Sequence, residues 1–304
     1  MLGTRVVIGL TMTGIVIAVL CLDEWFAPWF PFWLIVCLVA TGIAAFEVVT
    51  LLNQTGAHLS ESIVIGGVLA VVLSNWAPHV LATLHHLPQH VGRAAFDPLA
   101  PVNALGWPLL TFATIVLLTF LAYSVKFDQP GGTMTTIAGT IFAVSYIGVL
   151  GTFLIQMRWL DGAYHGLVPV LYLIATAKGT DVGAYTLGKL AGRHKLWPTL
   201  SPNKTVEGAI GGLIFSVGFA SIVSTIAHNI LKVQAFGPLP TIAFGLVVGT
   251  AAQIGDLMES MIKRDCAMKD ASAVVPGFGG VLDVIDSLLF AAPVAFGFWL
   301  ASGV

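Results

Sequence analysis

PFWLIVCLVATGIAAFEVVTLL, residues 31–52, is a run of 22 residues with one charge, Glu47. A helix of that length is about 33 Å long at 1.5 Å per residue, enough to cross the ~30 Å hydrocarbon layer of a bilayer. Eight further apolar runs lie near 5–22, 62–84, 107–125, 134–156, 165–188, 208–231, 236–258 and 283–301. All are continuously apolar, whereas the strands of a membrane barrel alternate, and a helix satisfies its own backbone polar groups in lipid. The sequence therefore predicts an all-α fold, a polytopic integral membrane helical bundle of about nine transmembrane helices. The run at 5–22 follows Arg5 as a signal peptide would. Its apolar stretch is long, however, and no small-x-small cleavage site precedes Asp23, so it is read as a span.

Composition agrees. Of 304 residues, 57% are hydrophobic and only 9% are charged, against about 25% in a typical soluble domain. Mean hydropathy is +0.93. A cytosolic enzyme, a disordered chain and a secreted disulfide scaffold are all excluded. Cys21, Cys37 and Cys266 are widely spaced, with no CxxC, and read as small apolar packing residues. The net charge of −2 creates no field that would attract nucleic acid.

Lysine and arginine set the orientation. With nine spans, Arg5, Lys126, Lys189, Arg193, Lys195, Lys204, Lys263, Arg264 and Lys269 fall on the N-terminal side. Arg93, Arg158 and Lys232 fall opposite. The positive-inside rule places the larger set in the cytoplasm. The loop near 86–106, with Pro88, Pro98 and Pro101, is then external. His79, His85, His86 and His90 map to that side and read as a hydrated interfacial patch. Trp25, Phe26, Trp29, Phe30 and Trp33 fit an aromatic belt. Glu47 has no partner obvious from the sequence.

Chemistry concentrates in the second half. Residues 1–170 read as packing and lipid-contact helices, and 171–304 as the catalytic region, with cytoplasmic loops near 189–207 and 259–282. The segment 178–287 holds nine of the thirteen basic residues and eight of the fifteen acidic ones. An ionisable residue within a span is costly unless paired, hydrated or metal-bound. Lys178, Asp181 and Tyr185, at i, i+3 and i+7, share one helical face. The next loop, SPNKTVEG (Ser201–Gly208), combines two hydroxyls, a cation and a helix start, with Ser201 or Thr205 as the cap. That combination suits a phosphate. Asp256, Glu259, Ser260 and Lys263 form a second stripe, at i, i+3, i+4 and i+7. After PGFGG (276–280), the last helix opens with Asp283 and Asp286. Asp256 and Asp283 flank one loop and are placed to converge.

Carboxylates for a divalent cation beside lysines for phosphates are the equipment of phosphoryl or nucleotidyl transfer. No GxSxG, HExxH, CxxC or Walker motif is present. A phosphate oxygen of a lipid can itself be the nucleophile.

The run SMIKRDCAMKD…PGFGGVLDVIDS, Ser260–Ser287, resembles the signature of the phosphatidate cytidylyltransferase (CDP-diacylglycerol synthase) family. That signature reads S-x-x-K-R-x4-K-D, then a P-G-H-G-G-like turn and an L-D-R-x-D helix start. The stretch D-x-x-A-Y-x-x-G-K (Asp181–Lys189) and SPNKTVEG are similar to that family too. The resemblance covers about the last third of the chain. It implies attack of phosphatidate on the α-phosphate of CTP, giving CDP-diacylglycerol and pyrophosphate. Mg2+ is the implied cofactor, with a second cation such as K+ beside it. Asp256, Asp283, Lys204 and Lys263 become the implied catalytic residues. Asp256, Asp283 and Asp286 become the implied metal ligands, supported by Asp181 and Glu259. Ser201, Asn203, Thr205, Glu207, Arg264, Lys269, Asp181 and Tyr185 would contact substrate. The resemblance further implies a bacterial inner membrane, a site facing the cytoplasm, and admits a homodimer.

The chain departs from the signature at Phe278, where the family has His, and at Val284, where it has Arg. Ala271-Ser272-Ala273 also replaces an x-Gly-x form. The carboxylates and lysines persist, so an active variant is expected. Two rival readings stay open. One is a CTP-dependent transferase acting on an isoprenoid lipid. The other is an ion or solute transporter using Lys178, Asp181 and Asp256 as a relay.

Overall fold

The computed structural model describes residues 2–84, 101–125, 127–160, 166–272 and 279–302, without the side chains of 2–10, 82–84, 101 and 102. His85, His86, His90, Arg93, Lys126 and Phe278 lie outside the described residues, as do the Arg5 side chain and most of the expected external loop. The chain forms two compact units, Met1–Trp159 with Ala271–Leu282, and Leu160–Asp270 with Asp283–Val304.

The first unit holds α1 (Leu2–Asp23), α2 (Pro31–Asn53), α3 (Glu61–Ser74), α4 (Ala77–Leu84), the short α5 (Pro101–Ala104), α6 (Gly106–Val125), α7 (Thr133–Ala143) and α8 (Leu150–Gln156). A π-helical segment, Val144–Val149, joins α7 to α8. Pro31 starts α2 at a position where its missing N–H costs nothing. Asp23 receives the next two amides, Phe32 N at 3.0 Å and Trp33 N at 2.5 Å, as a carboxylate at a helix N-terminus should. Arg158 is fully buried and paired: it donates to Glu24 Oε1 at 2.7 Å and to Leu20 O at 3.0 Å, and lies 4.0 Å from the centre of the Phe30 ring.

The second unit holds α9 (Leu167–Ala191), a hairpin of β1 (Lys195–Trp197) and β2 (Ser201–Thr205), α10 (Val206–Ile226), α11 (Pro238–Asp265) and α12 (Leu282–Ser302), whose first residue belongs to the first unit. Its two ends differ in kind. Tyr172, Phe236, Phe244 and Trp299 stack edge-to-face or tilted at 4.5–5.6 Å near the start of α9, the start of α11 and the end of α12. The charged residues gather at the other end. Along α10, Ile210, Ile214 and Ile222 are exposed, as is Ile230 in the π-helical segment that follows it, which fits a lipid-facing flank.

The expected all-α polytopic bundle is present, and the count of nine is met in part. Among the described residues, six helical stretches rather than nine are long and apolar enough to cross a membrane: Pro31–Asn53, Gly106–Val125, Thr133–Trp159, Val206–Leu231, Pro238–Asp265 and Leu282–Ser302. The run at 62–84 is broken after Ser74, leaving α3 with 14 residues and α4 with 8. Asn75 turns its amide back on Val71 O and Val72 O at 3.1 and 3.0 Å, and Pro78 removes a helical donor one turn later. α9 has 25 residues but carries Lys178, Asp181 and Lys189. The bundle is all-α apart from one short element: the basic loop after α9 pairs as an antiparallel hairpin, Lys195 opposite Thr205 and Trp197 opposite Ser201.

Candidate active site

The charged end of the second unit is built from the C-terminal halves of α9 and α11 and the N-termini of α10 and α12. Thr205, rather than Ser201, caps α10: its hydroxyl accepts from Gly208 N at 3.1 Å. That cap fixes the strand residue before it, and Lys204 reaches Asp256 Oδ2 of α11 at 2.8 Å. Glu207, in the first turn of α10, accepts from Arg193 N at 3.0 Å and pairs with His194 Nδ1 at 2.6 Å, which ties down the start of the hairpin.

On α11, the expected stripe forms. A Cβ at Gly255 would come within 2.8 Å of Phe290 Cβ and 2.9 Å of Asp286 O, so glycine there lets α11 lie against α12. One ligand oxygen each from Asp256, Glu259 and Asp286 then falls within 4.8 Å of the others. Lys263 sits beside this group, its Nζ at 2.5 Å from both Glu259 Oε2 and Asp283 Oδ1. Asp286 Oδ1 accepts from Ser287 N at 2.5 Å. From α9, Lys178 donates to Asp181 Oδ2 at 3.1 Å, to Val284 O at 2.8 Å and to Ser287 Oγ at 3.2 Å, which pins the first turns of α12.

Three carboxylates so close repel one another unless a cation lies among them. Glu259 is 1% exposed, and its Oε1 is buried with no hydrogen-bond partner among the described residues. An orphaned carboxylate oxygen in an acidic cluster fits a hard divalent cation, which prefers oxygen ligands. The cluster can therefore hold a cation.

The structure thus brings together Lys178, Asp181, Lys204, Asp256, Glu259, Lys263, Asp283 and Asp286. Asp283 stands as the partner of Lys263, while Glu259 joins Asp256 and Asp286. The sequence signal for Glu259 was its i, i+3 spacing from Asp256. Tyr185 is exposed, with Lys189 Nζ 5.9 Å from its ring centre. Asn203 and Lys269 are also exposed. Arg264 is exposed and donates to Met268 O at 3.3 Å.

A carboxylate cluster with interleaved lysines in a membrane helical bundle is a set of groups suited to metal-assisted group transfer. Comparison with known proteins makes this particular. The model of the cytidylyltransferase family matches residues 3–301, and the chain belongs to that family. It is 37% identical over 191 residues to the phosphatidate cytidylyltransferase of Bacillus subtilis (strain 168), covering 61% of this chain and 65% of that protein, just under two thirds. It is 37% identical over 210 residues to the protein of the same name from Staphylococcus aureus (strain COL), covering 68% and 72%. The Staphylococcus saprophyticus protein is 32% identical over 197 residues, covering 64% and 72%. The chain is an integral membrane protein with bacterial relatives.

Proposed function

We propose that this protein is a phosphatidate cytidylyltransferase, joining CTP and phosphatidate into CDP-diacylglycerol and pyrophosphate. The observation that carries this reading is the cluster of Asp256, Glu259 and Asp286 flanked by Lys204 and Lys263, in a chain of this family. A phosphate oxygen of phosphatidate attacks the α-phosphorus of CTP. The bond from that phosphorus to the bridging oxygen of the β-phosphate breaks, and pyrophosphate leaves with the electron pair.

Mg2+ held by Asp256, Glu259 and Asp286, with or without a second cation such as K+, would neutralise the triphosphate and the charge that develops on the leaving group. Lys204 and Lys263 exchange their carboxylate partners for phosphate oxygens as substrate enters. The hydroxyls of Ser201 and Thr205, the amide of Asn203 and the start of α10 line the phosphate side. Arg264 and Lys269, both exposed, draw the anionic substrates toward the site. Asp181 keeps Lys178 oriented toward α12. In-line positioning and charge neutralisation supply most of the rate, since the phosphoryl groups bring their own nucleophile.

Helices occupy each of the nine apolar runs read in the sequence. We take the chain to cross the membrane nine times, with residues 171–304 as the catalytic region and the hairpin on the cytoplasmic side of a bacterial inner membrane. There CTP arrives from water and phosphatidate from the bilayer. A homodimer is compatible with this arrangement. Turnover of phosphatidate and radiolabelled CTP by purified protein tests the reading, with EDTA and Asp256→Ala as controls. Product that needs Mg2+ and Asp256 supports it. Product formed only with an isoprenoid phosphate would reassign the acceptor, and ion movement without CTP binding would reassign the class.

A further inference from the structure

Glu47 sits in the middle of α2 and is 1% exposed, in a helix apolar enough to span a membrane. A carboxylate in such a place is expensive, and a structural or functional return is expected. Its partners lie more than 220 residues away in sequence, all within the first unit. Ser272 Oγ donates to Oε1 at 2.6 Å, Val281 N donates to Oε1 at 3.0 Å, and Leu282 N donates to Oε2 at 2.7 Å. Both carboxylate oxygens act only as acceptors, and the donors come from the two ends of the glycine-rich segment. Leu282 opens α12, so its amide is one that no turn of its own helix can satisfy. Gly280 packs against the same group: a Cβ there would stand 2.5–2.7 Å from the carboxylate atoms of Glu47. Leu282 is peptide-bonded to Asp283, the partner of Lys263.

We infer that Glu47 is a positioning residue: it anchors Val281 and Leu282 at the start of α12, and so positions the helix that carries Asp283 and Asp286 without touching substrate. This inference rests on the proposed function for its kinetic consequence but not for the anchor itself. Gln at position 47 keeps the size but turns an NH2 toward an N–H donor, so at least one of the three bonds is lost. Gly280→Ala perturbs the same contact from the opposite side and leaves Glu47 in place.

The test compares wild type, Glu47→Gln and Gly280→Ala, each purified in detergent. Amide hydrogen exchange is read over residues 279–284, and the Mg2+ concentration giving half-maximal turnover is read with CTP and phosphatidate. Both variants are expected to exchange at Val281 and Leu282 at least tenfold faster, with the other helices protected as before. Both should also need at least fivefold more Mg2+ for half-maximal rate. A merely structural role would lower the rate through lost folded enzyme and leave the Mg2+ dependence unmoved. Wild-type exchange at 281 and 282, or an unmoved Mg2+ dependence, would overturn the inference. Should Glu47→Gln fail to fold, Gly280→Ala decides alone. Should wild type turn over no phosphatidate, the functional reading falls, and the exchange measurement still decides the anchor.

Discussion

Lys263 Nζ lies 2.5 Å from Asp283 Oδ1, although 20 residues separate them and they stand in different helices. The same nitrogen is 2.5 Å from Glu259 Oε2. One cation therefore closes the end of α11 onto the start of α12. Lys263→Met should leave two largely buried carboxylates without their cation. Removing one partner of a buried pair costs about 3–5 kcal/mol, so thermal unfolding in detergent should begin well below that of wild type, and turnover should vanish. Lys263→Arg should recover most of the stability but little of the activity, because the planar guanidinium cannot replace a compact ammonium between two oxygens. Wild-type turnover in Lys263→Met would remove this lysine from the mechanism.

Crowding of Asp256, Glu259 and Asp286 within 4.8 Å makes a prediction of opposite sign. In EDTA the three carboxylates repel, so Asp286→Asn should unfold at a higher temperature than wild type. Added Mg2+ should stabilise wild type and leave Asp286→Asn unchanged, and the variant should lose at least 100-fold in turnover. An unfolding temperature lowered in EDTA and raised equally by Mg2+ in both proteins would show that the cluster holds no cation.

Local spacing made much of this site legible in the sequence. The Lys178–Asp181 pair and the Asp256, Glu259 and Lys263 stripe follow from helical periodicity alone, and residue type narrows the cap to Ser201 or Thr205, of which the structure uses Thr205. Contacts between distant segments were hidden. Nothing near Glu47 announces Ser272 or Leu282, and nothing near Lys178 announces Val284 O. The break after Ser74 lay inside a run whose apolar residues mask it. It depends on Asn75, which bonds the turn before it and accepts from Gln156 Nε2 at 2.9 Å, 81 residues on. The hairpin escaped because its strands are short and mostly polar, without the apolar alternation that marks a half-buried strand.

Lys204 and Thr205 are neighbours with separable roles. The Lys204–Asp256 pair is partly exposed, and such pairs contribute little to stability, typically about 0–1 kcal/mol. Lys204→Ala should therefore unfold close to wild type while losing at least 100-fold in turnover. Thr205→Ala loses a helix cap, a cost of about 1 kcal/mol, and should lose less than tenfold in turnover. Reversal of the two effects, measured by thermal unfolding and initial rates, would contradict the phosphate-binding role of Lys204.

Arg158 offers a test within the first unit. It is fully buried and paired with Glu24. Arg158→Met should lower stability by about 3–5 kcal/mol, since Glu24 loses its partner in a place poorly reached by water. Adding Glu24→Gln should restore part of that loss. If the double variant is no more stable than Arg158→Met, the pair is not what holds this end of the unit.

The most direct test of the central claim is the conversion of phosphatidate and radiolabelled CTP by purified protein in detergent, with Mg2+ or EDTA, beside Asp256→Ala. The account predicts Mg2+-dependent CDP-diacylglycerol from the wild type and none from the variant or with EDTA, which would also show that Phe278 and Val284 are compatible with catalysis. Well-folded wild-type protein that makes no CDP-diacylglycerol, or an Asp256→Ala variant that makes it at the wild-type rate, would contradict it.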